Sequence, residues 1–156
     1  MEPTKYNHLK LENQLCFPFY AASHLIIRAY QEDLSRLGIT YPQYLVLMVL
    51  WEKDPRTVNE IAEQLLLNTN TVTPLLKRME AMGLIERKPS QTDLRKVEVG
   101  LTEKGEKMQL EASTIPANLL NKLHVSPTDA QIQELTDLRS RLQEFIQVLN
   151  KLEPKD

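Results

Sequence analysis

The chain has 156 residues, 42% of them hydrophobic and 26% charged, with a formal net charge of −2. That is the balance of one ordinary globular domain, and it argues against a disordered, collagen-like or membrane-embedded chain. Glycine is scarce at four residues and aromatic residues are few at 6%, while leucine dominates the apolar set, a mixture that favours helices. The N-terminus, Met1-Glu2-Pro3-Thr4-Lys5, lacks the basic and apolar regions of a secretory leader. No apolar run approaches the roughly 18 residues of a membrane span. The expectation is a cytoplasmic protein with no membrane partner.

The first predicted element is helical. Leu11, Leu15, Phe19, Ala22 and Ile26 step by three or four residues, and the pattern continues to Leu34 and Leu37 before Gly38. Pro18 inside this run predicts a kink or a break between two helices. Thr40-Tyr41-Pro42-Gln43 is a capping box with Pro in the first turn, where its missing N–H costs nothing. The helix it starts is predicted to bury Tyr44, Leu47, Met48 and Trp51 and to stop near Asp54-Pro55.

Residues Thr57 to Thr102 then read as a winged helix-turn-helix. Thr57-Val58-Asn59-Glu60 is a second capping box, and Val58, Ile61, Ala62 and Leu65 form one apolar face. Asn68-Thr69-Asn70-Thr71 supplies cap side chains for the next helix. That helix buries Val72, Leu75, Leu76, Met79 and Met82, and turns Asn70, Thr71, Thr73, Lys77 and Arg78 outward. Gly83 ends it where a left-handed residue is wanted. Two short extended runs follow, Leu84 to Lys88 and Lys96 to Leu101, around the polar tip Pro89 to Arg95.

After the hairpin, Thr102-Glu103-Lys104-Gly105 starts a long helix, predicted to bend at Pro116 and to finish near His124. Ser126-Pro127-Thr128-Asp129 starts the last one. Along it Ile132, Leu135, Leu138, Leu142, Phe145 and Leu149 make a narrow seam of the coiled-coil kind. The seam could pack within the chain. Its place at the chain end, outside a self-contained winged module, favours a homodimer interface. The expected fold is thus mainly α (α+β): a single domain over 1–156, with a winged helix-turn-helix at 40–105 and dimerisation helices at 5–38 and 106–152.

Helix, turn, helix and basic hairpin form a device for holding DNA. Residues 68–97 hold six basic and three acidic side chains, +3, which leaves 13 basic and 18 acidic, −5, for the rest. Local charge, not the total, sets phosphate attraction. A solvated charged hairpin is the bland alternative, but it leaves the helix pair unexplained. Base-edge candidates are Asn70, Thr71, Thr73 and Pro74 near the start of the second helix, with Asn suited to adenine and methyl groups to thymine. Lys77 and Arg78 are the phosphate candidates, and Lys88 and Lys96 complete the DNA-binding set. Arg95 at the tip can reach a narrow minor groove, or it can brace the wing against Asp93. A dimer asks for a palindromic double-stranded operator.

Cys16 is the one cysteine, so an intrachain disulfide is excluded. His8, His24 and His124 make no recognisable metal site, and no cofactor motif is present. A lone cysteine among apolar neighbours is most often a small buried hydrophobe. Tyr30 and Tyr41 bracket the segment leading back to the winged module, and tyrosine hydroxyls donating to sulfur would favour a reactive thiolate.

The chain resembles the MarR family of dimeric winged-helix repressors over about Leu11 to Leu149, and within it the branch that senses organic hydroperoxides. The family-level likeness lies in Asp93-Leu94-Arg95 and Val97 to Gly105. The branch-level likeness lies in Gln14-Leu15-Cys16-Phe17, Thr40-Tyr41-Pro42-Gln43-Tyr44 and Thr71 to Glu80. The resemblance implies that Cys16 is the peroxide-reactive cysteine, that Tyr30 and Tyr41 hydrogen-bond to its thiolate, and that Arg95 is the minor-groove arginine. It implies a repressor, not an enzyme, released from DNA when Cys16 is oxidised. Two features depart from the branch. Asn70 stands where a glycine is common, and no second cysteine can resolve a sulfenic acid, so a small thiol must. Two other readings compete: a repressor relieved by a small aromatic ligand, with Cys16 as packing, and a thiol peroxidase, against which the absence of an evident catalytic His or Arg beside Cys16 argues.

Overall fold

A computed structural model describes residues 6–91, 93–124 and 128–152. The chain divides into two compact units, Met1–Ile115 and Pro116–Asp156. Among the described residues no helix is long and apolar enough to cross a membrane.

The first unit opens with two 3₁₀ turns, Asn7–Leu9 and Leu11–Asn13, and then helix α1, Cys16–Arg36. Pro18 therefore neither kinks nor breaks a helix. It sits at the third helical position, where its missing N–H has no intrahelical acceptor to lose. The apolar spacing simply runs through the 3₁₀ turns into the helix.

Helix α2, Tyr41–Glu52, starts at the predicted box, with the Thr40 N–H donating to Gln43 Oε1 at 2.8 Å. It is the axis of the core. Tyr44, Val46, Leu47, Val49 and Leu50 are all buried, so neighbours cover most of its circumference. Met48, predicted inside, is 38% exposed, while Val46 and Val49 take the buried places. A helix this apolar carries too little contrast for its spacing to point out the one exposed side.

The helix-turn-helix follows. Strand β1, Arg56–Thr57, leads into α3, Val58–Gln64, and Asn68 caps α4, Thr69–Ala81, by accepting from the Asn70 N–H at 2.8 Å. Ile61, Ala62, Val72, Leu75, Leu76 and Met79 are buried; Met82 is only half-buried. Gly83 has φ +69°, the left-handed stop expected after α4.

Strands β2, Ile85–Pro89, and β3, Val97–Leu101, form the wing, each set one residue inside the expected start. β3 lies in the middle of a three-stranded antiparallel sheet, with Arg56 opposite Val99 and Thr57 opposite Glu98. β1 was not foreseen, because two residues are too few to show any alternation.

Helix α5, Glu103–Ala112, is seated on the end of the wing. Thr102 caps it, accepting from the Gly105 N–H at 3.2 Å, while its hydroxyl donates to the Gly83 carbonyl at 2.7 Å. A Cβ on Gly105 would lie 2.2 Å from the Leu84 carbonyl oxygen, so only glycine permits this approach. The Trp51 indole N–H donates to the Gly105 carbonyl at 3.0 Å, which ties α2 to the same joint.

The long helix expected over 103–124 is two helices, α5 and α6, Ile115–Lys122. Pro116 is the second residue of α6, and the chain breaks at Ser113-Thr114 instead of bending at the proline. In the second unit α7, Asp129–Asn150, is capped by Thr128, whose hydroxyl accepts from the Gln131 N–H at 3.4 Å. Of the expected start Ser126-Pro127-Thr128-Asp129, Thr128 is thus the cap, and Ser126-Pro127 lies outside the described residues.

Candidate nucleic-acid interface and thiol site

The start of α4 presents the predicted base-reading residues as one surface. Asn70, Thr71 and Pro74 are exposed, and Thr73 is half-buried with its hydroxyl donating to the Thr69 carbonyl at 2.8 Å. Its methyl and remaining lone pairs are left for a neighbour. Pro74 cannot donate to the Asn70 carbonyl, so this end of α4 carries an acceptor as well as donors. Lys77 and Arg78 are exposed, and among the described residues neither has a carboxylate within ion-pair distance.

The wing is held in place by charge. The Arg87 Nε donates to Glu80 Oε2 at 2.9 Å, joining β2 to the back of α4, and this contact holds the Glu80 carboxyl below its ordinary range. At the tip the Arg95 Nε donates to Asp93 Oδ1 at 3.1 Å, and the Arg95 backbone N–H donates to the same oxygen at 3.1 Å. Those two bonds lower the Asp93 carboxyl. The brace costs Arg95 little freedom, because its side chain remains 90% exposed. The bracing role foreseen for Arg95 is therefore present, and it leaves the guanidinium accessible. Lys88 pairs with Glu86 at 2.5 Å, and Lys96 is exposed beside Arg95.

A cleft runs between the wing and the starts of α3 and α4, lined among others by Thr57, Asn59, Thr69, Thr73, Arg95 and Lys96. Sequence reasoning missed Thr57, Asn59 and Thr69 as members of this surface. Their signal was used up in the caps: polar residues at a helix start were read as stopping and starting helices, not as facing a groove. Glu80–Arg87 was also missed, since nothing local links a helix residue to one seven positions on in a strand.

Cys16 is the first residue of α1, and its thiol is exposed. The buried-hydrophobe reading therefore fails for the single chain. Its neighbours are exposed too: Leu15 at 69% and Phe17 and Phe19 at 39% each. Tyr30 and Tyr41 do come together, with ring centroids 5.2 Å apart, and Tyr44 packs on both. Burial raises the hydroxyls of all three above the ordinary phenol range, helped at Tyr30 and Tyr44 by their tyrosine neighbours. They keep their protons at neutral pH and remain donors. Cys16 does not join them within one chain. Fourteen positions of continuous helix separate it from Tyr30, about 21 Å along the axis.

Among the described residues no cluster of His, Cys, Asp and Glu is placed to hold a metal ion.

Comparison with known proteins agrees with this architecture. The profile of the MarR family matches residues 39–97. The organic hydroperoxide resistance transcriptional regulator of Bacillus subtilis is 44% identical over 147 residues, covering 94% of this chain and 97% of that protein. Reduced AbfR bound to DNA superimposes with a TM-score of 0.68 at 38% identity, over 87% of this chain and 94% of that one; AbfR is a Staphylococcus epidermidis protein. The MepR–DNA complex of S. aureus superimposes with a TM-score of 0.74 at 25% identity, over 86% and 98% of the two chains.

Proposed function

The chain belongs to the MarR family of DNA-binding transcriptional regulators, and from that premise we propose that it is a cytoplasmic, dimeric repressor released from a palindromic operator when an organic hydroperoxide oxidises Cys16. The observation that carries the reading is an exposed, solitary thiol at the first turn of α1, in a chain this similar to a hydroperoxide resistance regulator.

On DNA, α4 lies in the major groove and reads base edges with Asn70, Thr71, Thr73 and Pro74, while Lys77, Arg78, Lys88 and Lys96 meet phosphates. Arg95 enters the adjacent minor groove. The cleft between wing and helix starts gives the sugar-phosphate strand a path between the two contacts. Two copies present two α4 helices to half-sites about 34–36 Å apart. The seam of α7 supplies a reason for pairing: Ile132, Leu135, Leu138 and Leu149 are 40–54% exposed, while Leu142 and Phe145 are half-buried.

Chemically, the Cys16 thiolate attacks a peroxide oxygen. The S–O bond forms as the O–O bond breaks, sulfur loses two electrons, and the hydroperoxide leaves as the alcohol after taking up a proton. A small thiol then condenses with the sulfenic acid, forming a disulfide and releasing water. Tyr30 and Tyr41 are neutral donors suited to hold the thiolate, and the roughly 21 Å of α1 favours those of a second chain in that role. Oxidation removes that hydrogen-bonded thiolate, so the paired chains repack and the half-site spacing shifts. DNA is released only because the oxidised form fits it less well.

A second reading has a surface of its own. Ile27, Gln31, Leu34, Ile39, Tyr41 and Pro42 line a groove between α1 and α2 that a small aromatic molecule could enter, with Cys16 a bystander. Titrating a fluorescent operator duplex with wild type and Cys16→Ser, before and after an organic hydroperoxide, separates the two. We expect both reduced proteins to bind alike and only wild type to let go. Release of the Cys16→Ser protein would discard the thiol mechanism.

A further inference from the structure

We propose that Leu94, at the tip of the wing, is an apolar minor-groove contact that works beside Arg95 and helps set affinity for the operator. The proposal rests on the DNA-binding reading above and extends it to a residue outside the basic set.

An exposed leucine on a protein surface ordinarily needs no explanation. This one differs in position. It is 84% exposed, more than any other large hydrophobic residue among those described. It also sits in a turn whose geometry fixes where it points. The Lys96 N–H donates to the Asp93 carbonyl at 2.8 Å, closing a four-residue turn with Leu94 and Arg95 as its two central residues. The Asp93 side chain accepts the Arg95 N–H, an Asx turn inside the first. Below it, Ser90 is 1% exposed; its N–H donates to the Lys96 carbonyl at 2.9 Å, and its hydroxyl donates to Glu98 Oε1 at 2.7 Å. The turn is thus pinned from both strands, and its two central residues carry one apolar and one cationic side chain.

Central turn positions favour Gly, Pro, Asn, Asp and Ser for conformational reasons, none of which leucine supplies. Leucine here gains nothing for the turn and places apolar surface in water. A minor groove offers what that pair fits. Its phosphates and narrow A·T floor draw the guanidinium, and its deoxyribose walls and base-step edges are apolar. Leu94 against the sugars would remove its side chain from water only when DNA is bound, so its contribution appears in affinity and not in folding.

The test uses a duplex of about 30 bp, enough for two half-sites one turn apart, recovered by the full-length wild-type protein from a random-sequence pool. Affinity and its salt dependence are then measured for wild type, Leu94→Ala, Leu94→Met and Arg95→Ala. We expect Leu94→Ala to weaken binding about tenfold with an unchanged salt slope, as loss of buried apolar surface requires. Leu94→Met should stay within about twofold of wild type, since it keeps the apolar bulk. Arg95→Ala should weaken binding and lower the slope by about one, the signature of a charge contact. Leu94→Ala binding within twofold of wild type would overturn the proposal. So would a loss accompanied by a reduced salt slope, which would mean that Leu94 acts only by aiming Arg95. If wild type enriches no duplex, the DNA-binding reading itself fails, a result distinct from either.

Discussion

The stretch from Thr40 to Gly105 holds most of the buried apolar side chains, and the helices outside it expose most of their large apolar ones. Within the stretch, Leu47, Ile61, Val72, Leu76, Met79 and Val99 are fully covered, and the helices begin on side-chain caps. Outside it, Leu15, Phe17, Phe19 and Ile26 of the α1 region are 39–69% exposed, and α7 exposes Ile132, Leu135 and Leu138. The core closes within one chain, with Leu34, Ile39, Ala112 and Ile115 from outside the stretch joining it. The helices outside the stretch leave apolar surface exposed, and the lone thiol is the first residue of α1. On the function proposed above, the helices outside the stretch pair two chains and so set the positions of the two readers.

The largest effect should come from attacking the helices outside the stretch. Leu135→Glu combined with Leu142→Glu should convert dimer to monomer, read by sedimentation equilibrium, and weaken operator binding by about a hundredfold or more through loss of bivalency. An unchanged dimer would mean that α7 is not the pairing surface.

Next is the joint inside the stretch. Gly105→Ala forces a Cβ against the Leu84 carbonyl oxygen and should cost about 3 kcal/mol in urea unfolding, the scale of overpacking a tight contact. A neutral result would show that α5 is loosely seated.

Smallest is Thr57→Ala, which should lower stability by about 1 kcal/mol through loss of a helix cap. Its pH dependence is a sharper test. The Thr57 backbone N–H, and then its hydroxyl, hold the Glu60 carboxyl below its ordinary range. The box therefore stabilises the fold above the ordinary glutamate pKa and is lost as pH falls through the lowered value. The gap between wild type and variant should narrow in acid.

What the sequence made legible follows the same division. Caps are short-range chemistry, and Thr40, Thr57, Asn68, Thr102 and Thr128 all cap helices as their neighbours predict. Gly83 is likewise a local requirement met locally. Long-range facts were not legible. β1 exists only because Arg56 and Thr57 find β3, and Met48 is exposed because of what surrounds α2. Pro18 and Pro116 were misread for one reason: a proline breaks a helix or begins one depending on where the helix starts, and apolar periodicity alone did not mark that start. Among site residues, Arg95 with its Asp93 brace lay within three positions and could be read. The pairing of Tyr30 with Tyr41 spans two helices, and the separation of Cys16 from both needed the length of α1.

The central claim is that Cys16 of one chain is held by Tyr30 and Tyr41 of the other. A mixed dimer tests it most directly, one chain carrying Cys16→Ser and the other Tyr30→Phe with Tyr41→Phe, purified through two different tags. Its single thiol then faces intact tyrosines only if the site is built across chains. The rate of sulfenic acid formation with an organic hydroperoxide should match that of a wild-type site. A rate as slow as in the homodimer of the double tyrosine variant would contradict the account.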